Sequence, residues 1–330
     1  MTEYRIIGQG IAGTILSMRM EMENIPFQLW DDPGLSSSSK IAAGIANPIV
    51  LKRLKLVHEA QYFYEELPDF YRYWEEKLKT DFFKPIAIHH IFQSQGEQNL
   101  WLEKSENPAF KPFLGEVTPY NHSHLRAPFG VGVTKQTFWV DTDKLIRAYR
   151  DHLKKQGRYH QATVSPHTLP PADKASLIWC TGHLMRKDAL SEIFTPTKGE
   201  VLVIRSSELS LDHILHAGVF ILPLGNHLFK VGATYAWNHL DEVPSQQGLK
   251  TLETELRKIY NGPYEIVDHL AGIRPNIKDR KPIMGRCEDG LVFNGLGSRG
   301  VLLAPRLSKT FVQFLNGGEL PSHYNLNRFT

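Results

Sequence analysis

Three glycines in the spacing Gly8-x-Gly10-x-x-Gly13 restrict this chain to few folds. They follow Tyr4-Arg5-Ile6-Ile7, which predicts a short strand, and run into Thr14-Ile15-Leu16-Ser17-Met18-Arg19-Met20, of helical character. A second strand is predicted at Phe27-Gln28-Leu29-Trp30. It ends on Asp31, the acid expected about 20 residues beyond such a loop. The physics of each position is specific. Gly8 makes the tight turn, Gly10 lets the backbone approach a pyrophosphate, and Gly13 lets helix and strand pack closely. Ile11 and Ala12 complete the loop, and Asp31 with Asp32 beside it can accept hydrogen bonds from a ribose. A nucleotide-binding unit follows. The alternative is a glycine-rich turn in some other α/β protein.

A second constellation lies near the other end. Ala271-Gly272-Ile273-Arg274-Pro275 reads as a cation held in a stiff turn, able to clamp a carboxylate through two parallel hydrogen bonds. Further on, Gly295-Leu296-Gly297-Ser298-Arg299-Gly300 precedes Val301-Leu302-Leu303-Ala304-Pro305. Bare backbone N–H groups beside a helix start stabilise negative charge. The plainer reading is a loop between strand and helix with surface arginines.

Composition narrows the class. The chain has 330 residues, 42% apolar and 22% charged, which suits two soluble globular domains. A net charge of +3 is too small to argue for nucleic acid or an anionic membrane as main partner. No apolar run approaches the roughly 18 residues of a membrane helix. The N-terminus starts on a strand with no signal-peptide pattern, and Cys180 and Cys287 make no disulfide framework, so a reducing cytoplasm is expected. The histidines, including His89-His90 and His122-x-His124, form no metal pattern.

Residues 56–79 carry aromatics at helical spacing and predict one long amphipathic helix with a core face. The four serines Ser36–Ser39 precede a small-residue run, Ala42-Ala43-Gly44-Ile45, suited to close approach of a ligand. Strands are predicted at 86–93, 176–180, 200–204, 219–222 and 229–234, and Phe138-Trp139-Val140-Asp141 leads into a helix. Helices are predicted near 142–155, capped by Asp141 or Thr142, and at 246–260, and 104–137 reads as loop-rich. The fold class expected is α/β: a Rossmann-like FAD-binding domain from 1–80, 138–199 and 268–330, with an inserted antiparallel-sheet substrate domain from 81–137 and 200–267.

The chain resembles the FAD-dependent D-amino-acid oxidase superfamily, and within it the glycine/sarcosine oxidase branch. The resemblance runs along essentially the whole chain. Its residues are the N-terminal glycine loop with Asp31, Ser38-Ser39 through Gly44, Trp139-Val140-Asp141, Cys180-Thr181-Gly182, Pro196 to Glu200, Val231 to Thr234, the arginine segment, the second glycine turn and Asn327-Arg328-Phe329. It implies FAD along Gly8, Gly10, Gly13, Asp31, Ser38, Ser39, Ala42, Ala43, Gly44 and Ile45. Val164 would touch adenine, with Thr181 and Gly182 also at the cofactor. Gly297, Ser298, Arg299, Gly300 and Val301 would lie at the pyrimidine end of the flavin. Arg274 would hold the substrate carboxylate.

Two departures bear on chemistry. Phe220 stands where relatives of the glycine oxidase branch place a substrate-binding tyrosine, and Tyr235 could replace it from another direction. The span from Gly157 to Cys180 is short. Cys287 falls about one strand beyond the cysteine that carries covalent flavin in some sarcosine oxidases, so FAD is expected to be non-covalent. The activity implied is oxidation of a small amine or amino acid, with O2 or another acceptor taking the electrons. A flavin enzyme acting on a carboxymethylaminomethyl group of tRNA wobble uridine, and a flavin-binding protein without turnover, remain alternatives.

Overall fold

The computed structural model describes residues 2–35, 37–164, 171–187 and 190–329. Two sheets dominate. The first has six strands in the order Tyr159–Gln161, Phe27–Asp31, Tyr4–Ile7, Leu177–Trp179, Gly290–Asn294 and Ile283–Cys287. All neighbours in it run parallel except the last pair. Tyr4–Ile7 sits in the middle because its apolar side chains are covered on both faces. The helix Ile11–Met22 follows directly and is buried almost all round, packed against the helix Gly300–Leu315. That explains the absence of a polar stripe in its sequence.

Helix Gly300–Leu315 carries Pro305 in its interior. A proline there leaves the carbonyl four residues earlier without a donor. The carbonyl of Val301 is satisfied instead by the Tyr71 hydroxyl at 2.8 Å. Tyr71 thus ties the helical layer from residues 60–78 to the helix that starts at the cleft.

The second sheet has eight strands in the order Glu265–Arg274, Thr197–Arg205, Leu228–Gly232, Val219–Gly225, Ile214–Ala217, Ile88–Ile91, Val131–Thr134 and Leu114–Thr118. It is antiparallel except where Ile214–Ala217 runs parallel to Ile88–Ile91, the join between the two inserted segments. The limits expected at 199/200 and 267/268 fall inside Thr197–Arg205 and Glu265–Arg274, so these strands belong whole to this sheet.

Two expectations are corrected, the single helix over 56–79 and the turn at Arg274. The helix expected over 56–79 is two helices, Ala60–Tyr64 and Leu67–Leu78, after a short strand Lys55–Leu56. Pro68 is confined to a first helical turn and forces the new start. Residues 104–137 are loop-rich as expected, with regular structure only at the end of the helix Gln95–Ser105 and in the strands Leu114–Thr118 and Val131–Thr134. Arg274 is not in a turn: it is the last residue of a ten-residue strand, with Pro275 ending the ladder. Among the described residues no helix is long and apolar enough to cross a membrane.

Candidate active site

At the C-terminal ends of the parallel strands, where a ligand crevice is expected in open α/β sheets, lies a cleft of about 560 Å3. Every residue expected at the cofactor or the substrate lines it except Gly13. Gly13 acts from behind. A Cβ there would fall 1.9 Å from the Gly8 carbonyl oxygen, so only glycine allows helix and strand to cross. Gly8 has φ +98° and passes close to the Cys180 carbonyl. Gly10 has no protein backbone above it; the nearest group to its virtual Cβ is the Ser39 hydroxyl at 3.3 Å. The first N–H groups of helix Ile11–Met22 have no carbonyl one turn back, and no acid occupies that turn. One of them, Ile11 N–H, donates to Ser39 Oγ at 2.9 Å.

Asp31 accepts from the Gln9 N–H at 2.8 Å and from Arg150 Nη2 at 3.3 Å. Arg150 also donates to Gln9 Oε1 at 2.6 Å. A carboxylate has about four acceptor positions, so room for a ribose hydroxyl is left. Arg150 had no sequence signal, since it arrives from a helix 119 residues away. Asp32 closes its own turn, accepting from Gly34 N–H at 2.9 Å and Thr163 Oγ1 at 2.5 Å.

The serine segment is fixed in place. Ser38–Ile41 forms a short helix capped by Ser37. Thr142 Oγ1 donates to the Ser39 carbonyl at 2.6 Å, Trp139 Nε1 to that of Ala43 at 2.9 Å, and Lys230 Nζ to that of Ala42 at 3.1 Å. Gly44, at φ +71°, crosses the Val140 carbonyl so closely that a Cβ would sit 1.9 Å from its oxygen. Ile45 pairs with Trp139. Val164 lines the cleft; residues 165–170 beyond it lie outside the described residues. Thr181 and Gly182 follow strand Leu177–Trp179, and Gly297, Ser298, Gly300 and Val301 enclose the cleft opposite the N-terminal loop, where Gly300 contacts Ile11.

The other end is built from side chains. Arg274 lies flat on Gly199: a Cβ there would come within 2.1 Å of Nη2. Arg274 donates to the carbonyls of Lys198 at 3.3 Å and Thr234 at 3.1 Å. Tyr235 stacks on it, with the guanidinium carbon 4.1 Å from the ring centroid. Tyr235 thus reaches the cleft through the cation and not from the strand of Phe220. Burial pushes the Arg274 pKa below the ordinary arginine range, partly offset by Tyr235. Arg299 is also largely buried, with its pKa lowered for the same reason. Among the described residues neither arginine has a carboxylate within ion-pair distance.

Phe220 lines the cleft opposite His216 on one side and Gly232 on the other. His216 is a lining residue that the sequence reading missed. Its Nδ1 lies 3.0 Å from His90 Nδ1, and burial, with His90 next to it, pushes its pKa down to about 3. It is a neutral polar wall and a very weak base. Only the cross-strand register brings it next to Phe220. Cys287 does not line the cleft, and Cys180 lines it with a deeply buried thiol whose pKa burial raises.

The donor set fits FAD. Acid-free N–H groups at a helix start suit a pyrophosphate, Asp31 suits a ribose, and one continuous cleft joins them to an arginine with no acidic partner.

Comparisons with known proteins agree with this arrangement. The family model for FAD-dependent oxidoreductases designated DAO matches residues 4–313. Glycine oxidase of Bacillus subtilis is 33% identical over 139 residues, 40% of this chain and 37% of that protein, so the alignment spans well under half of the relative. Among solved structures, iminodiacetate oxidase from Chelativorans superposes with TM-score 0.80 at 16% identity, covering 98% of each chain. Glycine oxidase from Geobacillus kaustophilus superposes with TM-score 0.77 at 16% identity, covering 100% of this chain and 98% of its own. At such identities the superpositions speak for the fold.

Proposed function

Because the chain belongs to the DAO family of FAD-dependent oxidoreductases, we propose that it oxidises a small amine or amino acid of the glycine, sarcosine or D-amino-acid type. The observation that carries this reading is a buried, acid-free guanidinium, Arg274, on the same cleft as the glycine loop. Of the five N–H groups of an arginine, Arg274 spends two on backbone carbonyls, and three are left for a ligand. Those two bonds and the Tyr235 ring fix its plane, so a carboxylate meets a fork already oriented.

FAD, when bound, supplies the acceptor for the hydride that leaves the substrate carbon next to nitrogen. The protein binds and orients. Arg274 holds the carboxylate, which sets where the adjacent C–H points. Phe220, Tyr235 and Val201 line the cleft beside it. No strong base is required of these residues if the amine enters neutral, and His216 does not provide one. The iminium left by hydride loss from the neutral amine takes up water and breaks down to a carbonyl compound and an amine or ammonia. Gly297 and the start of helix Gly300–Leu315 present a positive helix end, suited to negative charge developing nearby.

The test is anaerobic bleaching of the flavin absorbance by a panel of glycine, sarcosine, proline and D-amino acids, followed by readmission of air. Bleaching by an amine supports the reading, and the rate of recovery in air reports whether O2 is the acceptor. A purified protein without FAD, or a flavin that no amine reduces, overturns it.

A further inference from the structure

The cleft holds two arginines, and the amine oxidation proposed above uses one. Arg274 ends the strand Glu265–Arg274 of the eight-stranded sheet, and Arg299 precedes the helix Gly300–Leu315. They reach the cleft from different layers, yet Tyr235 is a neighbour of both.

The other well-buried arginines show how this chain treats such charges. Arg19 pairs with Glu66, Arg150 with Asp31, and Arg328 with Asp279. A buried cation without a counter-charge is costly, so pairing is the rule. Among the described residues Arg274 and Arg299 have no such partner, and both line the cleft. The two acids that line it, Asp31 and Asp32, are engaged with Arg150 and with Thr163 and Gly34. The compensating charges are therefore left for a ligand to bring. One guanidinium fork satisfies one carboxylate with two parallel bonds. Two forks on one cleft, both interacting with Tyr235, match two acidic groups.

We propose that the substrate is a dianion: an amine whose carboxylate lies on Arg274 and whose second acidic group lies on Arg299. The fitting classes are N-carboxyalkyl amino acids and α-amino dicarboxylic acids. This inference rests on the reading of the cleft as an amine-oxidising site and narrows its substrate. The remaining wall agrees with it, since Phe220 and neutral His216 add neither a competing cation nor a repelling anion.

Redox-inert matched pairs test it on the FAD-bound protein by titration calorimetry near pH 7. Diglycolate and methoxyacetate differ only by a second carboxylate, as do malate and lactate. In at least one pair the diacid should bind about 10- to 100-fold more tightly than the monoacid, and Arg299→Gln should erase that advantage while leaving the monoacid within about threefold. Arg299→Lys should restore part of it, because the charge returns without the fork. Equal binding of diacid and monoacid in both pairs overturns the proposal, and it does so even if the Arg299 variants fail to fold. So does an Arg299→Gln that weakens both members alike, which would make Arg299 a partner of the flavin, or one that leaves the diacid advantage intact. Failure of the broader reading looks different: diacids could bind tightly while no amine bleaches the flavin.

Discussion

The two ends of the cleft are made by opposite means. At the nucleotide end, shape comes from backbone: Gly8, Gly13 and Gly44 pass within contact of other main-chain atoms, and side chains are mostly kept out of the way. At the substrate end, shape comes from side chains that meet across strands: Arg274 on Gly199, Tyr235 on Arg274, Phe220 between His216 and Gly232. A backbone-built site has few ways to vary and suits a cofactor shared by a whole family. A side-chain site can be retuned one residue at a time and suits substrate choice.

The sharpest break in that comparison should come from alanine at two neighbouring glycines. Gly13→Ala sets a Cβ against the Gly8 carbonyl, 1.9 Å away, where neither helix nor strand can yield. We expect loss of soluble, FAD-bound protein. Gly10→Ala meets the hydroxyls of Ser39 at 3.3 Å and Ser37 at 3.5 Å and should fold, yet its methyl group stands where a pyrophosphate approaches. Thermal unfolding and the flavin content of purified protein separate the two. A Gly10→Ala protein that keeps its full flavin would remove Gly10 from the cofactor site.

Next in size is the Arg274 anchor. Arg274→Ala should raise KM for carboxylate substrates about 100-fold with flavin still bound, the range expected when one partner of a buried charge pair is lost. Gly199→Ala should imitate it, because the new methyl group occupies the guanidinium position. Steady-state kinetics with flavin content measured in parallel decides this. An unchanged KM in both variants would mean that the carboxylate is held elsewhere.

The same contrast explains what could be read from the sequence. The nucleotide end was legible because its glycines, strand, helix and acid lie within the first 31 residues, in an order that local geometry dictates. Arg274 was legible as a cation, but not as the end of a strand, since Gly272 and Pro275 look like turn residues until the ladder with Thr197–Arg205 is seen. Arg150, His216 and the Gly199 platform were illegible. Arg150 and Gly199 reach the site through contacts dozens of residues away along the chain, and His216 through a hairpin register with Phe220 that the sequence does not announce. The split helix at 60–78 was missed because the aromatic spacing runs on across Pro68.

A smaller effect should appear in acid. Burial pushes His216 down to about 3 and His89 to about 4, against about 6.5 for a free histidine. His216 faces His90, whose own pKa burial lowers, while Glu97 near His90 acts the other way. Both histidines are neutral in the folded protein and take up protons more readily when unfolded. Their contribution to stability is thus complete above about pH 6.5 and is lost as pH falls toward about 3 to 4. Tm followed from pH 8 to pH 4 should decline, and His216→Asn should flatten the decline. Parallel curves for the two proteins would place the acid sensitivity elsewhere, with the carboxylates of the nucleotide end as the next candidates.

The smallest change asked of the substrate end is one oxygen. Phe220 presents its ring tip to Gly232: a Cβ on that glycine would lie 3.1 Å from Phe220 Cζ, the carbon that bears the hydroxyl in tyrosine. Val201 Cγ1 flanks the same spot, 2.6 Å from that Cβ position, so thermal unfolding is measured first to show that Phe220→Tyr folds. If the hydroxyl reaches a carboxylate held by Arg274, it adds one charge-assisted hydrogen bond, less the cost of taking the hydroxyl out of water. The net gain is of order 1 kcal/mol, a roughly fivefold lower KM. The gain should persist in Arg274→Lys, where the charge remains but the bidentate fork is lost. A KM unchanged by Phe220→Tyr in both backgrounds would mean that the carboxylate sits out of reach of this wall, and that selectivity at this end is set by the arginines and Tyr235 without help from the Phe220 strand.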